Sequence, residues 1–231
     1  MVYWFTSKPD EAEKPDVEVP KGFGGTIPEK GALLYMGKDK FENEELIKNA
    51  WPEDVWFHVD RESSAHVYIR LERGAHKTGE NWYKNIHPLI VEDCCQLVKA
   101  NSIKGNKQDN VSVVFTPASN LKKTNGMEVG QVGFHNQNNV FKAKVQERKN
   151  AIVNRLEKTK KWEETDLQAE LMKRNKEEKA ENARVAEKER IEREAQEKAW
   201  KEEKEARSYD KLNDPTQMTA AGELEVDSDG E

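Results

Sequence analysis

Asp54-Val55-Trp56-Phe57-His58-Val59 and, a short gap later, Ser63-Ser64-Ala65-His66-Val67-Tyr68-Ile69-Arg70 are the stretches on which the fold turns. In both, side-chain character alternates with period two, the period of a β-strand. One face takes Val55, Phe57, Val59, Val67, Ile69 and Leu71. The other takes Trp56, His58, His66, Tyr68 and Arg70. Two adjacent strands present that second set together. Aromatic rings interleaved with His and Arg suit a nucleic-acid surface, where bases stack on rings and Arg pairs with phosphate. The same pattern also describes a half-exposed antiparallel pair with ordinary polar residues turned outward. The residues alone leave both readings open.

Outward from this core, residues 2–6 read as a first strand. Residues 7–31 carry Pro9, Pro15, Pro20, Pro28 and Gly24-Gly25, the composition of a flexible surface insertion. Residues 32–36 form a second short strand. Asp39 and Glu42 fit a helix-capping pattern, so residues 42–50 read as a short helix. Residues 88–100 have helical spacing at Leu89, Val91, Cys94, Cys95 and Val98, with Pro88 suited to the first turn. Strands are expected at 111–116, 131–134 and 139–146. The domain then ends near residue 147. From there to Arg207 there is no Gly or Pro, and Glu, Lys, Arg, Ala and Gln dominate. Residues 148–207 read as one long charged helix or coiled coil, with Thr165-Asp166 its one candidate interruption. Pairs such as Glu170–Arg174, Glu189–Arg193, Glu194–Lys198, Glu197–Lys201 and Glu203–Arg207 support it. No heptad is sustained, which favours a solvated rod. Residues 208–231 are polar and acidic, the composition of a disordered tail. Ser228 within Asp-Ser-Asp-Gly-Glu is a candidate phosphosite.

The hydrophobic share of the 231 residues is 35% and the charged share 35%, against roughly 45–50% and 25% in a typical globular domain. Part of the chain therefore builds no core. No window nears the ~20 apolar residues of a membrane span, and the N-terminus lacks the features of a signal peptide. Cys94 and Cys95 are adjacent, which makes neither a disulfide framework nor a zinc site. The expectation is a soluble cytoplasmic protein without cofactor or metal. The net charge of −6 hides segregation. Lys and Arg stand against Asp and Glu at 12 to 18 in residues 1–98 and 9 to 3 in 99–149. They stand at 16 to 16 in 150–207 and 1 to 7 in 208–231. The basic block 99–149 suits phosphate, or else a sheet edge guarded by lysines.

Candidate phosphate ligands are Lys38 and Lys40 at the turn into the first helix, where free backbone N–H groups also favour anions. Lys104, Lys107, Lys122 and Lys123 lie in the basic block. An enzymatic alternative places His58, His66 and Arg70, with Asp60, as acid, base and charge stabiliser of phosphodiester chemistry. Ser63 or Ser64 is then a nucleophile, though no elbow motif surrounds either. There is no P-loop, G-x-G-x-x-G or H-E-x-x-H motif.

The two opening stretches, with Lys122-Lys123-Thr124 and Gly130-Gln131-Val132-Gly133, resemble the NFACT-R domain of the NFACT proteins of ribosome-associated quality control. The order of parts is similar to the coiled-coil domain-containing protein 25 family, in which that domain stands alone before a charged helix. The matching parts include Met36-Gly37-Lys38-Asp39-Lys40, Lys99-Ala100-Asn101-Ser102-Ile103 and Asn154-Arg155-Leu156-Glu157-Lys158-Thr159-Lys160. The resemblance implies an α+β domain with a mainly antiparallel sheet and one or two packed helices. It implies RNA binding at His58, Ser63, Ser64, His66 and Arg70. The partners expected from it are ribosomal RNA or tRNA and the large ribosomal subunit. Two alternatives stand beside it. One is a DNA-binding adaptor or sensor that uses the Lys38–Lys40 turn and offers the helix to a protein partner. The other is an RNA- or peptidyl-tRNA-processing enzyme built on His58, His66 and Arg70.

Overall fold

The computed structural model describes residues 2–207; the acidic tail and Ser228 lie outside the described residues. In chain order the elements are β1 (Val2–Ser7), β2 (Ala32–Gly37), α1 (Lys40–Asn49), β3 (Asp54–Val59) and β4 (Val67–Arg70). There follow α2 (Pro88–Ala100), β5 (Val111–Pro117), β6 (Leu121–Lys122), β7 (Gly133–Phe134) and β8 (Phe141–Val145). The last are α3 (Asn150–Glu157), β9 (Lys161–Glu163) and α4 (Leu167–Arg207). Seven strands form one sheet in the order β8-β5-β3-β4-β2-β1-β9, and every neighbouring pair is antiparallel. β6 and β7 make a separate small hairpin.

The alternation in β3 and β4 divides the side chains between two cores. Val55, Phe57, Val59, Val67 and Ile69 pack with Ile90, Val91, Cys94, Cys95 and Val98 of α2 and with Ile152 and Leu156 of α3. Burial pushes both cysteine thiols up, away from the reactive thiolate. Trp56 and Tyr68 face the other way, into a second core with Trp4, Tyr35, Leu46 of α1 and Leu121 of β6. A sheet covered on both faces reads as near-continuous apolar strands, as Ala32-Leu33-Leu34-Tyr35-Met36 does.

The segment 7–31 forms no ladder strand, but it is not a free surface insertion. Val17 is buried. Phe23 sets its ring 5.4–6.3 Å from the rings of Tyr83, Phe115, Phe141 and Trp82. A Cβ at Gly25 would fall 2.3 Å from the Asn85 backbone, so only glycine permits that approach.

Residues 148–207 are not one helix. α3 docks on α2, where Arg155 grips the buried Asp93 through two hydrogen bonds of 3.0 and 2.8 Å. β9 then pairs with β1, and the long helix begins only at Leu167. The compact unit accordingly runs to Lys173 and a second unit begins at Arg174. In that second unit the side chains are almost all exposed. Of the expected pairs, Glu197–Lys201 and Glu203–Arg207 form. Glu194 lies by Arg190, and Lys198 by Glu202. No helix among the described residues is long and apolar enough to cross a membrane.

Candidate nucleic-acid interface

β3 carries both ends of the site. At its first residue, Asp54 takes two hydrogen bonds from Arg70, at 2.9 and 3.1 Å. Asp54 also accepts from the Tyr35 hydroxyl and the Trp51 backbone N–H, each at 2.6 Å. The Arg70 guanidinium lies over the Trp51 ring at 3.8 Å. Burial pushes the Asp54 carboxyl up, and the bonds from Arg70 oppose it. Arg70 is therefore a structural cation clamped on a buried carboxylate, not a free phosphate ligand. His58 stands four residues further along β3, roughly 13 Å away at strand rise.

At the His58 end the rings form an ordered stack. Trp56 and His58 are nearly parallel, 7° apart with centroids 5.3 Å apart. His66 meets both edge-on. The Trp56 indole N–H donates to His66 Nδ1 at 2.9 Å, which leaves the proton of neutral His66 on Nε2, where the Gly130 backbone accepts it. Burial, then the neighbouring His58, lowers His66 to about 3. His58 donates from Nδ1 to the Val59 carbonyl at 2.7 Å, so its Nε2 is a bare acceptor. Burial lowers its pKa, against the pull of that carbonyl and of Asp60.

Trp56 and Tyr68 are not the exposed stacking platform that alternation suggested. They are buried, roofed by α1, by the β6–β7 hairpin and by Val132 and Val140. The roof stops at His58, which is half-buried at a cleft of about 410 Å³. Trp56, Val114, Val132, Phe134 and Val140 make its apolar lining. His58, Asp60, Arg61, Gln131, Gln137 and Lys142 supply polar groups around it. Arg61 is exposed, holds a left-handed backbone (φ 62°), and has no ion-pair partner among the described residues. A non-glycine residue in that conformation marks a constrained turn.

The wall beside His66 is the segment 123–132. Lys123 straps it, donating to Glu44 at 2.8 Å, to the Glu128 carbonyl at 2.7 Å and to the Gln131 carbonyl at 3.0 Å. Glu44 of α1 also accepts from the Gly130 N–H at 3.0 Å. Partial burial works against the Glu44 charge, but these donors hold its carboxyl below the usual range. Lys123 is thus a strap, while Lys122 points to solvent.

The other candidates divide similarly. Lys38 and Lys40 are exposed at the start of α1, whose cap is Asp39 as expected, accepting from Phe41 and Glu42 N–H. The backbone of Lys40 borders Gly130, so this turn adjoins the cleft wall. Ser64 Oγ accepts from the Val59 N–H at 3.1 Å and donates to the Ala65 carbonyl at 3.1 Å. The Ser63 carbonyl accepts from Ser102 at 2.7 Å. Both serines fasten the β3–β4 turn to the end of α2, and neither is placed as a nucleophile. Lys104 lies 3.1 Å from Glu62 at the surface, a weak pair. Lys107 is exposed after α2. Lys99 is buried, donating to the Gly105 and Gln108 carbonyls. With Lys142 on Asp60 and Lys149 on Glu92, the basic block has four of its nine cations paired with carboxylates. It is not a continuous phosphate surface.

The set His58, His66 and Arg70 does not converge on one point. His66 has both nitrogens engaged, and Arg70 is clamped at the far end of β3. Among the described residues no three His, Cys, Asp or Glu side chains are grouped to hold a metal ion. Sequence reasoning missed Arg61, Gln131, Gln137 and Lys142; only Arg61 carried a signal, as a cation two residues past the end of the aromatic-rich strand β3. A larger cleft of about 610 Å³ lies toward the α2 side, where Ile69, Ile86 and Ile90 line it with Arg70, Arg73 and Lys84. Of the expected site residues, only the clamped Arg70 reaches it.

The NFACT protein RNA binding domain family matches residues 21–136. The chain is 50% identical to coiled-coil domain-containing protein 25 of Bos taurus, over 92% of this chain and 91% of that one. It is 55% identical to the Mus musculus protein of the same name, over 64% of this chain and 68% of that one. Protein JLP2 of Saccharomyces cerevisiae is 38% identical over 69% of this chain and 68% of its own.

Proposed function

This chain belongs to the coiled-coil domain-containing protein 25 family, whose domain over residues 21–136 is an NFACT RNA-binding domain, and we propose that it binds ribosomal RNA or tRNA on the large ribosomal subunit, in translation quality control. The observation that carries the reading is a set of four exposed cations on the side of the sheet that holds the His58 cleft. Lys38, Lys40, Arg61 and Lys122 have no carboxylate partner among the described residues, whereas Lys123 and Lys142 beside them, and Arg70 at the far end of β3, are each paired. Paired cations hold the fold together. Unpaired ones beside a cleft of mixed apolar and polar lining leave charge for phosphate, and the cleft leaves room for a base. Its place of action is then the cytoplasm, and the exposed charged helix α4 is a docking arm for RNA or a ribosomal protein.

Neutralising four phosphates of a single-stranded segment gives a slope of about −3 in log affinity against log salt. Ribosome co-sedimentation across a salt series tests the reading. Wild type should sediment with the large subunit at low salt and be lost steeply as salt rises. Lys38→Ala/Lys40→Ala and Arg61→Ala/Lys122→Ala should weaken association and flatten the slope by about one per cation removed. No association at any salt, with duplex DNA still bound, favours the DNA-binding adaptor instead. Its phosphate contacts would use the same lysines.

A further inference from the structure

We propose that the cleft beside His58 receives one unstacked nucleobase of the bound RNA and selects bases that carry an exocyclic amine over uracil. The inference rests on the RNA-binding reading and names what this site reads. Its volume of about 410 Å³ falls within the usual range of small-ligand pockets. Its lining divides between an apolar interior of Val114, Phe134 and Val140 and a polar rim that includes Asp60, Arg61, Glu62, Gln131 and Gln137.

The stack sets the ring chemistry. Trp56 packs parallel to His58, so His58 extends a buried aromatic column to the cleft, where a base adds the next ring. The hydrogen-bond code follows from the fixed tautomer. His58 spends its N–H on the Val59 carbonyl, and desolvation keeps the ring neutral. Nε2 therefore offers a lone pair and no proton. Asp60 adds a second acceptor group at the rim, held by Lys142 at 2.7 Å. Acceptors seek donors. Adenine, cytosine and guanine each present an amino group, whereas uracil offers two carbonyl oxygens and a single imino N–H. A uracil carbonyl facing Nε2 sets acceptor against acceptor. Arg61, exposed and unpaired at the same cleft, is placed for the phosphate of the inserted nucleotide.

The test is fluorescence anisotropy of the full chain with ten-nucleotide oligo(A), oligo(C) and oligo(U) RNAs at one salt concentration, with AMP and UMP as competitors. Wild type should bind oligo(A) and oligo(C) about five- to tenfold more tightly than oligo(U), the worth of one buried hydrogen bond. An oligomer of purine riboside, which is adenosine without its amine, should fall to the oligo(U) level, and this arm needs no altered protein. His58→Phe keeps a ring and loses the acceptor, and should bind the oligomers equally. Arg61→Ala should weaken all of them alike. Equal binding of every oligomer by wild type overturns the base pocket and leaves RNA binding standing. No binding to any oligomer or to ribosomes overturns both. Competition by AMP as strong as by oligo(A) overturns the RNA source and makes the ligand a free nucleotide.

Discussion

His66 has both ring nitrogens in use, and that fixes what it does. Nδ1 receives the Trp56 N–H and the opposite nitrogen meets the Gly130 backbone. Protonation would put a second N–H against an indole N–H in a site only 3% exposed. The folded pKa of about 3 lies below the ordinary 6.5. Between those values the unfolded chain binds the proton and the folded chain does not. The stability due to neutral His66 is thus complete above pH 6.5 and is lost as pH falls toward 3. Urea unfolding at pH 7, 5.5 and 4.5 should show wild type losing stability on acidification. His66→Gln should lose clearly less, because it has no proton to gain. Equal acid slopes would show that His66 titrates normally. The comparison separates His66 from carboxylates such as Glu44, which both chains share.

At the scale of elements, α3 and β9 belong to the domain, not to the helix that follows. α3 buries Ile152, Val153 and Leu156, each worth about 1.5–3 kcal/mol. Its Arg155 neutralises Asp93, a buried carboxylate whose loss of partner costs about 3–5 kcal/mol. Together these rival the whole stability of a typical domain, roughly 5–15 kcal/mol. A chain ending at residue 147 should therefore give no cooperative melting transition, whereas one ending at residue 166 should melt as a folded domain. A folded 1–147 fragment would refute that assignment. α2 was legible because Pro88 and the apolar spacing mark it locally. α3 was not, since no Gly or Pro separates its helix-forming residues from α4. β9 exists only through its pairing with β1, more than 150 residues earlier, and no local signal announces such a strand. The break foreseen at Thr165-Asp166 is real, with Asp166 accepting from the Ala169 N–H at the helix start.

Across the whole molecule, alternation sorted the residues of β3 and β4 correctly between two faces but could not say what covers each face. Alternation alone leaves Trp56 and Tyr68 at the surface, because the sequence does not show α1 and the hairpin folding over them. His58 stays accessible because the cover over Trp56 ends before reaching it. The lysines could not be sorted at all without the structure. Lys122 and Lys123 are neighbours, yet one faces solvent and the other straps Glu44. RNA is proposed to lie on the His58 side of the sheet. Acetylation footprinting of the full chain, with and without saturating ribosomal RNA, tests it most directly. Lys38, Lys40 and Lys122 should be protected, with Lys84 at the α2-side cleft as reactive as in the free protein. Protection of Lys84 with Lys38, Lys40 and Lys122 left reactive would contradict it.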